Sequence, residues 1–289
     1  MSKLYIVPTP IGNLKDMTER AIETLRECDL VAAEDTRHTL KLMNYFDIKT
    51  QLISYHKFNE KMRSEEIINE IVMNDKNVAI VTDAGTPCIS DPGYEIVKAA
   101  REKGIEVIGL AGASAGIIAL SIAGINTEQF AFYGFLPRKK SEIDCEFKKI
   151  KQNTIKTFVI YESPKRIIKL IENVKEHMPN AILCVCKELT KLHENSFYGN
   201  VDTVIEKLKN HEDVERGEYV VVGYNNDYEE VESSAKIGVG IHGIIFDKLI
   251  QKEYSLKEAV NEIVEEGIAT KNDAYKASLE VKKYIESFQ

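Results

Sequence analysis

The first 110 or so residues repeat one pattern, a short apolar run followed by a longer stretch with apolar residues at helical spacing. The runs fall at 4–7, 30–33, 51–54, 78–82 and 106–108, with helical stretches at 18–27, 36–46, 60–73 and 94–103 between them. This alternation constrains the fold more than any other feature: strands separated by helices build a mostly parallel sheet with helices packed on its faces. Thr18 stands where it can cap the first helix.

After Gly112 the spacing widens. Strands are expected at 130–133, 157–161, 182–186, 195–198 and 219–224, with helices at 141–152, 164–177 and 201–209. This is a second α/β domain. Residues 225–234 are acidic and rich in Asn and Ser, as a linker would be, and two short helices at 256–266 and 271–287 close the chain. Ser255 with Glu258 has the spacing of a capping box, Gly267 of a helix stop, and Thr270 with Asp273 of a second cap. The expected organisation is therefore an α/β domain over 1–112, a second over 113–226, and a linker with a small helical tail over 227–289. The tail carries 8 Lys/Arg against 13 Asp/Glu over 226–289, so packing or dimerisation suits it at least as well as RNA binding.

At 289 residues and 44% hydrophobic, the chain has room for two proper cores. A net charge of −8 excludes indiscriminate coating of nucleic acid, which depends on phosphate neutralisation, but leaves room for a local basic patch. The start, MSKLYIVPTP, has no long apolar segment, so a cytoplasmic protein is expected. Residues 107–125 lack charge but hold Gly109, Gly112, Gly116 and Gly124; a strand, a glycine turn and a buried helix fit them better than a membrane span. The five cysteines are widely spread, and Cys184 and Cys186 share one strand face, which reads as reduced core thiols. A metal site would need more Cys or His at ligand spacing, and none is expected.

Sheets of this kind bind ligands beyond the carboxyl ends of their strands. Those ends carry polar turns shaped by Gly and Pro: 8–13, 34–37, 83–93 and 110–116 in the first half, and 161–166 and 187–191 in the second. The 83–93 turn, DAGTPCISDPG, is longer than a strand-to-helix connection needs. Together these turns outline a cleft. There is no G-x-x-x-x-G-K-[ST] and no G-x-G-x-x-G after the first strand, which disfavours phosphate-cradling loops and NAD. His193-Glu194 has no second histidine at metal spacing.

The strings VPTPIGNL, AAEDTR, TDAGTPCISDPG, GFLPRK, YESPKR and CKELTK, in this order and at strand ends, resemble the tetrapyrrole-methylase superfamily. Within it they resemble the branch that methylates a cytidine 2′-oxygen in 16S rRNA. The likeness spans roughly 3–225. It implies two α/β domains with S-adenosylmethionine (SAM) between them, a homodimer, and 16S rRNA of the small ribosomal subunit as partner. It further implies that Pro10, Ile11, Gly85, Thr86, Ile89, Ser114 and Ala115 approach the cofactor, with Tyr161 and, through its backbone, Cys186 closing the pocket from the second domain. Where the family usually has Pro-Gly-Pro, this chain has Ala111-Gly112-Ala113, which keeps the glycine and removes two φ-fixing prolines. On this reading the long turn is a cofactor clamp, with Gly85 allowing close backbone approach and Pro87 and Pro92 stiffening the path.

Residues 138–169 hold ten Lys/Arg against four acids in a chain of net −8. The stretch begins and ends at cleft loops, so Arg138, Lys139, Lys140, Lys165 and Arg166 are the expected RNA-binding cations. Methylation of a small tetrapyrrole-like molecule would leave this stretch unused, and a non-catalytic ribosome-binding module would leave the cofactor loops unused. Methyl transfer to a 2′-hydroxyl needs a group to take the proton. Glu34 or Asp35 is the expected base or substrate-orienting group, with Arg37 holding a phosphate or the carboxylate, and Asp83 and Glu188 in reserve. The alternative for Glu34, Asp35 and Arg37 is a set of salt bridges that pins the turn. His38 stands one residue past the 34–37 turn.

Overall fold

The computed structural model describes residues 2–228, 240–251 and 254–286. Two compact units emerge, Met1–Glu229 and Glu230–Gln289. The larger contains two five-stranded sheets.

In the first sheet β1 (Lys3–Ile6), β2 (Leu30–Ala33), β3 (Gln51–Ser54), β4 (Val78–Val81) and β5 (Glu106–Gly109) all run parallel, in the order β3-β2-β4-β1-β5. Each lies within one residue of its expected place. β2 and β4 are buried along their whole length, as unbroken apolar runs covered on both faces should be. α1 (Glu19–Glu27), α2 (Thr36–Tyr45), α3 (Glu60–Asn74) and α4 (Tyr94–Glu102) supply that cover. Thr18 caps α1 by accepting from the Ala21 N–H. Leu4, Ile67, Ile80 and Ile96 pack on one face of the sheet; Leu25, Val31, Met43 and Val81 pack on the other.

The second sheet orders β6 (Phe130–Phe135), β7 (Thr157–Glu162), β8 (Ile182–Lys187), β9 (Asn195–Asn200) and β10 (Tyr219–Tyr224) as β6-β7-β10-β8-β9. β6 and β7 are parallel, whereas β10 runs against both β7 and β8. α5 (Ala115–Ile122) packs near β7 and β10, while α6 (Lys140–Gln152), α7 (Ile167–His177) and α8 (Val201–Lys209) enclose a core of Phe147, Phe158, Ile160, Ile171 and Val221. The uncharged stretch resolves into β5, a turn and α5; among the described residues no helix is long and apolar enough to cross a membrane. Cys184 and Cys186 share one core, their sulfurs 3.8 Å apart.

The segment expected to be a linker starts as fixed structure. Asn225 is buried, its N–H donating to the Lys156 carbonyl and its side chain to the Lys151 carbonyl, and Asp227 accepts from Asn180. Residues 229–234 of that stretch lie outside the described residues, as does 287 of the last expected helix.

The smaller unit has three helices among its described residues, α9 (Ile241–Gln251), α10 (Leu256–Glu265) and α11 (Lys271–Glu286), where the sequence led us to expect two. α9 was missed because apolar residues occupy most of its faces, so it shows no one-sided stripe. Ile245, Ala259, Ile263, Ala274 and Val281 form the core. Ser255 and Glu258 make the full capping box, and Thr270 accepts from the Asp273 N–H.

Candidate functional site

The loops leaving β1, β2, β4 and β5 meet the ends of β7 and β10 around a cavity of about 450 Å³. The first three links are backbone and hydroxyl bonds. Thr9 and Gly85 exchange N–H···O bonds at 2.9 and 3.0 Å, and the Thr9 hydroxyl donates to the Thr82 carbonyl. The Thr86 hydroxyl donates to the Ala113 carbonyl at 2.9 Å, tying down the loop that lacks prolines at 111 and 113. Gly85 has φ of +88°, a conformation that side chains rarely adopt, and so leaves bare backbone at the cavity wall.

The second domain closes the other side. Tyr161 accepts the Gly116 N–H at 2.9 Å and is met edge-on by Phe132 and Phe135. Close approach across the cleft also explains Gly12, where an added Cβ would overlap the Lys191 side chain.

Five acidic residues, Glu34, Asp83, Asp91, Glu162 and Glu218, line the cavity, Glu162 already paired with Arg166 and Glu218 with Lys191. The Thr82 hydroxyl donates to Glu34 at 2.6 Å, and the Asp83 carboxylate accepts the Asp35 N–H at 3.2 Å. Burial, then the charge of Glu34, raises Asp83. The same causes push Asp91 up to about 6. Burial also raises Tyr161. With apolar walls from Ile11, Ile89, Phe135 and Val220, the cavity offers flat apolar surface beside concentrated negative charge. That combination suits a ligand with an aromatic portion and a cationic centre.

Of the residues expected at a site, Ile11, Glu34, Asp83, Gly85, Thr86, Ile89, Ser114, Ala115 and Tyr161 line this cavity. Pro10 lines an adjoining one. Cys186 is fully buried within β8, in register with Val220 of β10, and it is Val220 that reaches the cavity. Asp35 caps α2 by accepting the Arg37 N–H, and its carboxylate also takes the Arg37 guanidinium at 2.6 Å. Those bonds hold Asp35 well below the usual carboxylate range. Glu188, at φ +54°, binds Lys191 and the Glu218 N–H, bracing the loop before β10.

The basic stretch divides. Lys139 pairs with Glu142, and Lys140 with Asp144 and Glu176. Arg166 reaches buried Glu162 at 2.9 Å and donates to the Leu136 and Pro137 carbonyls. Arg138 and Lys165 are exposed, and among the described residues neither joins an ion pair.

Sequence reasoning placed the turns 83–93 and 161–166 at the cleft without singling out Asp91 or Glu162 to Pro164, and it missed Gly217 to Val220 as lining residues. Asp91 lay inside the long turn but drew attention only for that turn's shape. Gly217 to Val220 were invisible to a search of carboxyl strand ends, because β10 is antiparallel and brings its amino end to the cleft.

The profile of the tetrapyrrole (corrin/porphyrin) methylases matches residues 3–205. The chain is 38% identical over 273 residues to the ribosomal RNA small subunit methyltransferase I of Halalkalibacterium halodurans, covering 94% of this chain and 93% of that protein. It is 44% identical over 232 residues to the protein of the same name from Bacillus subtilis, covering 80% and 78%. Among solved structures, a diphthine synthase superposes with a TM-score of 0.58 at 15% identity, over 76% of this chain and 89% of that one, a likeness of fold alone.

Proposed function

The chain belongs to the ribosomal RNA small subunit methyltransferase I family, within the tetrapyrrole (corrin/porphyrin) methylases, and on that premise we propose that it methylates a ribose 2′-oxygen of a cytidine in 16S rRNA, using SAM. The observation that carries the reading is the cavity itself: bare backbone at Gly85, apolar walls and the acidic group of Glu34, Asp83 and Asp91 converge where the loops of both sheets meet. Bound SAM supplies an activated methyl group on a cationic sulfur. Gly85, Thr86, Ser114 and Ala115 hold and orient it, Ile11, Ile89 and Tyr161 exclude water, and Glu34 and Asp91 oppose its positive charge.

Asp83 takes the proton from the 2′-hydroxyl. Its carboxyl is made more basic by burial and by Glu34, and a base so placed contributes about 10²–10⁴ in rate. Glu34, fixed by Thr82, maintains that basicity. Asp35 and Arg37 act through the turn, as the cap and clasp that present Glu34. Arg138 and Lys165, beside the cleft loops and without an ion pair among the described residues, meet RNA phosphates; Lys139, Lys140 and Arg166 build the surface that carries them. A homodimer in the cytoplasm completes the reading, and exposed Phe130 and Phe132 on the open edge strand β6 support self-association.

Two measurements test this. Calorimetry of the purified chain should show one SAM site, and 16S rRNA from cells lacking the protein should lose one cytidine ribose methyl by mass spectrometry. No heat at high micromolar SAM, or an unchanged methylation pattern, refutes the proposal.

A further inference from the structure

A second cavity, of about 550 Å³, adjoins the first and shares Ile11, Asp83, Ala84 and Glu218 with it. Its outer wall is one face of α2, where His38, Lys41, Leu42 and Tyr45 follow one another at i, i+3, i+4 and i+7. α2 buries only Thr39 and Met43, so this neighbouring face stays open. Tyr45 is 65% exposed, its ring steadied edge-on by Phe46 with centroids 4.9 Å apart. Pro10 and Leu14 form the opposite wall. None of these side chains has a part in the chemistry assigned above.

The placement of Asp83 connects them to it. That carboxylate belongs to the walls of both cavities, so a hydroxyl offered to it from the second cavity faces the first. A nucleotide whose ribose sits at this boundary must send its base and flanking phosphates somewhere, and the α2 wall has the chemistry for both. An open aromatic ring with Pro and Leu opposite it accepts the π-face of an unstacked base, and Lys41 and His38 lie beside it for phosphate. In a chain of net −8, two basic side chains beside an exposed ring mark this wall as complementary to a polyanion.

The geometry points to a subsite for the target nucleotide of an unpaired RNA strand: its base stacks on Tyr45 between α2 and the Pro10–Leu14 loop, Lys41 and His38 hold its phosphates, and its 2′-hydroxyl reaches Asp83. This rests on the methyltransferase reading and names where its substrate lies. It adds a second RNA contact to the one at Arg138 and Lys165, so the strand crosses the cleft.

The test uses the full chain with Tyr45→Ala, Tyr45→Phe and Lys41→Glu, read by SAM calorimetry, steady-state methylation of 30S subunits and anisotropy of a single-stranded oligoribonucleotide copying the target loop. Loss of a stacked base weakens binding about fivefold or more. Tyr45→Ala is therefore expected to raise KM for subunits and the oligonucleotide Kd by at least about fivefold, with Tyr45→Phe close to the parent. Lys41→Glu should raise both and flatten the salt slope by about one. SAM affinity should stay within about twofold in all three. An active parent whose KM ignores Tyr45→Ala and Lys41→Glu overturns the subsite alone, as does a fall in SAM affinity, which would give the second cavity to the cofactor. A parent that neither binds SAM nor methylates overturns both readings.

Discussion

Replacing Asp91 by Asn should stabilise the protein while weakening its hold on SAM. Asp91 stands at about 6 instead of 3.8, because burial and the charges of Glu34 and Asp83 disfavour its ionised form. Its folded value lies above its unfolded one, so the native state holds a proton between about pH 4 and 6 that the unfolded chain has lost. The protonated carboxyl therefore favours folding at low pH, and that advantage disappears as the pH rises through 6. The displacement corresponds to about 3 kcal/mol. Asp91 is only partly buried, and solvent screening reduces this to about 1–1.5 kcal/mol. Asn keeps the shape, carries no charge and can donate to the Thr82 hydroxyl as the protonated acid would.

The assay is thermal melting of parent and Asp91→Asn from pH 4.5 to 8, without ligand. Above pH 7 the variant should melt about 2–6 °C higher. The two curves should converge as the pH falls towards 4. In calorimetry the same variant should bind SAM tenfold or more weakly, since a unit charge about 8 Å away contributes about 2 kcal/mol at an effective dielectric constant of about 20. The demethylated product, whose sulfur carries no charge, should bind nearly as before. A variant that melts lower than the parent at pH 7.5, or by the same margin at every pH, refutes the argument, because the carboxylate would then be held by favourable partners.

Arg166→Ala should cost about 3 kcal/mol of stability by stranding Glu162, which is 3% exposed, and the double change Glu162→Gln with Arg166→Met should recover most of it in denaturant melts. Gly85→Val forces a β-branched residue to φ +88°, so it should destabilise by about 1–3 kcal/mol in denaturant melts and abolish SAM binding in calorimetry. Asp35→Asn, which still caps α2, should leave the melting temperature unchanged and methylation of 30S subunits within about threefold, whereas Asp35→Ala, which removes the cap, should lower the melting temperature. Asp83→Asn should lower the rate at saturating SAM at least about a hundredfold in single-turnover assays, a loss beyond the roughly tenfold in SAM affinity that its missing charge costs.

The first sheet was legible because each of its strands is a local apolar run and each crossover a local helix, so pattern and structure refer to the same few residues. The cleft was legible for a related reason: parallel strands place all their carboxyl ends on one side, and turns at those ends announce themselves by Gly, Pro and acidic residues. What escaped notice depended on direction and partnership, which are not local. β10 reads like any other strand, yet its antiparallel course brings Gly217 to Val220 to the cavity from the end that the rule ignores. α9 carries apolar residues around most of its circumference, so its register against α10 and α11 leaves no periodic trace.

The basic stretch shows the same limit in electrostatic form. Counting charge over 138–169 treats Lys140, Arg138 and Arg166 alike, but their partners come from elsewhere: Lys140 meets Glu176, thirty-six residues on, and Arg166 meets a Glu162 that the sheet has buried. A cation already held by a buried carboxylate has little to offer a phosphate, because moving it would leave the carboxylate unpaired. Arg138 and Lys165 carry no such obligation. Reversing those two charges should therefore lower RNA affinity and the salt slope as far as reversing all five, while sparing the melting temperature. If the pair has no effect on RNA binding and the loss tracks unfolding in the Arg166 variant, the stretch is scaffold, and the α2 wall alone carries the strand.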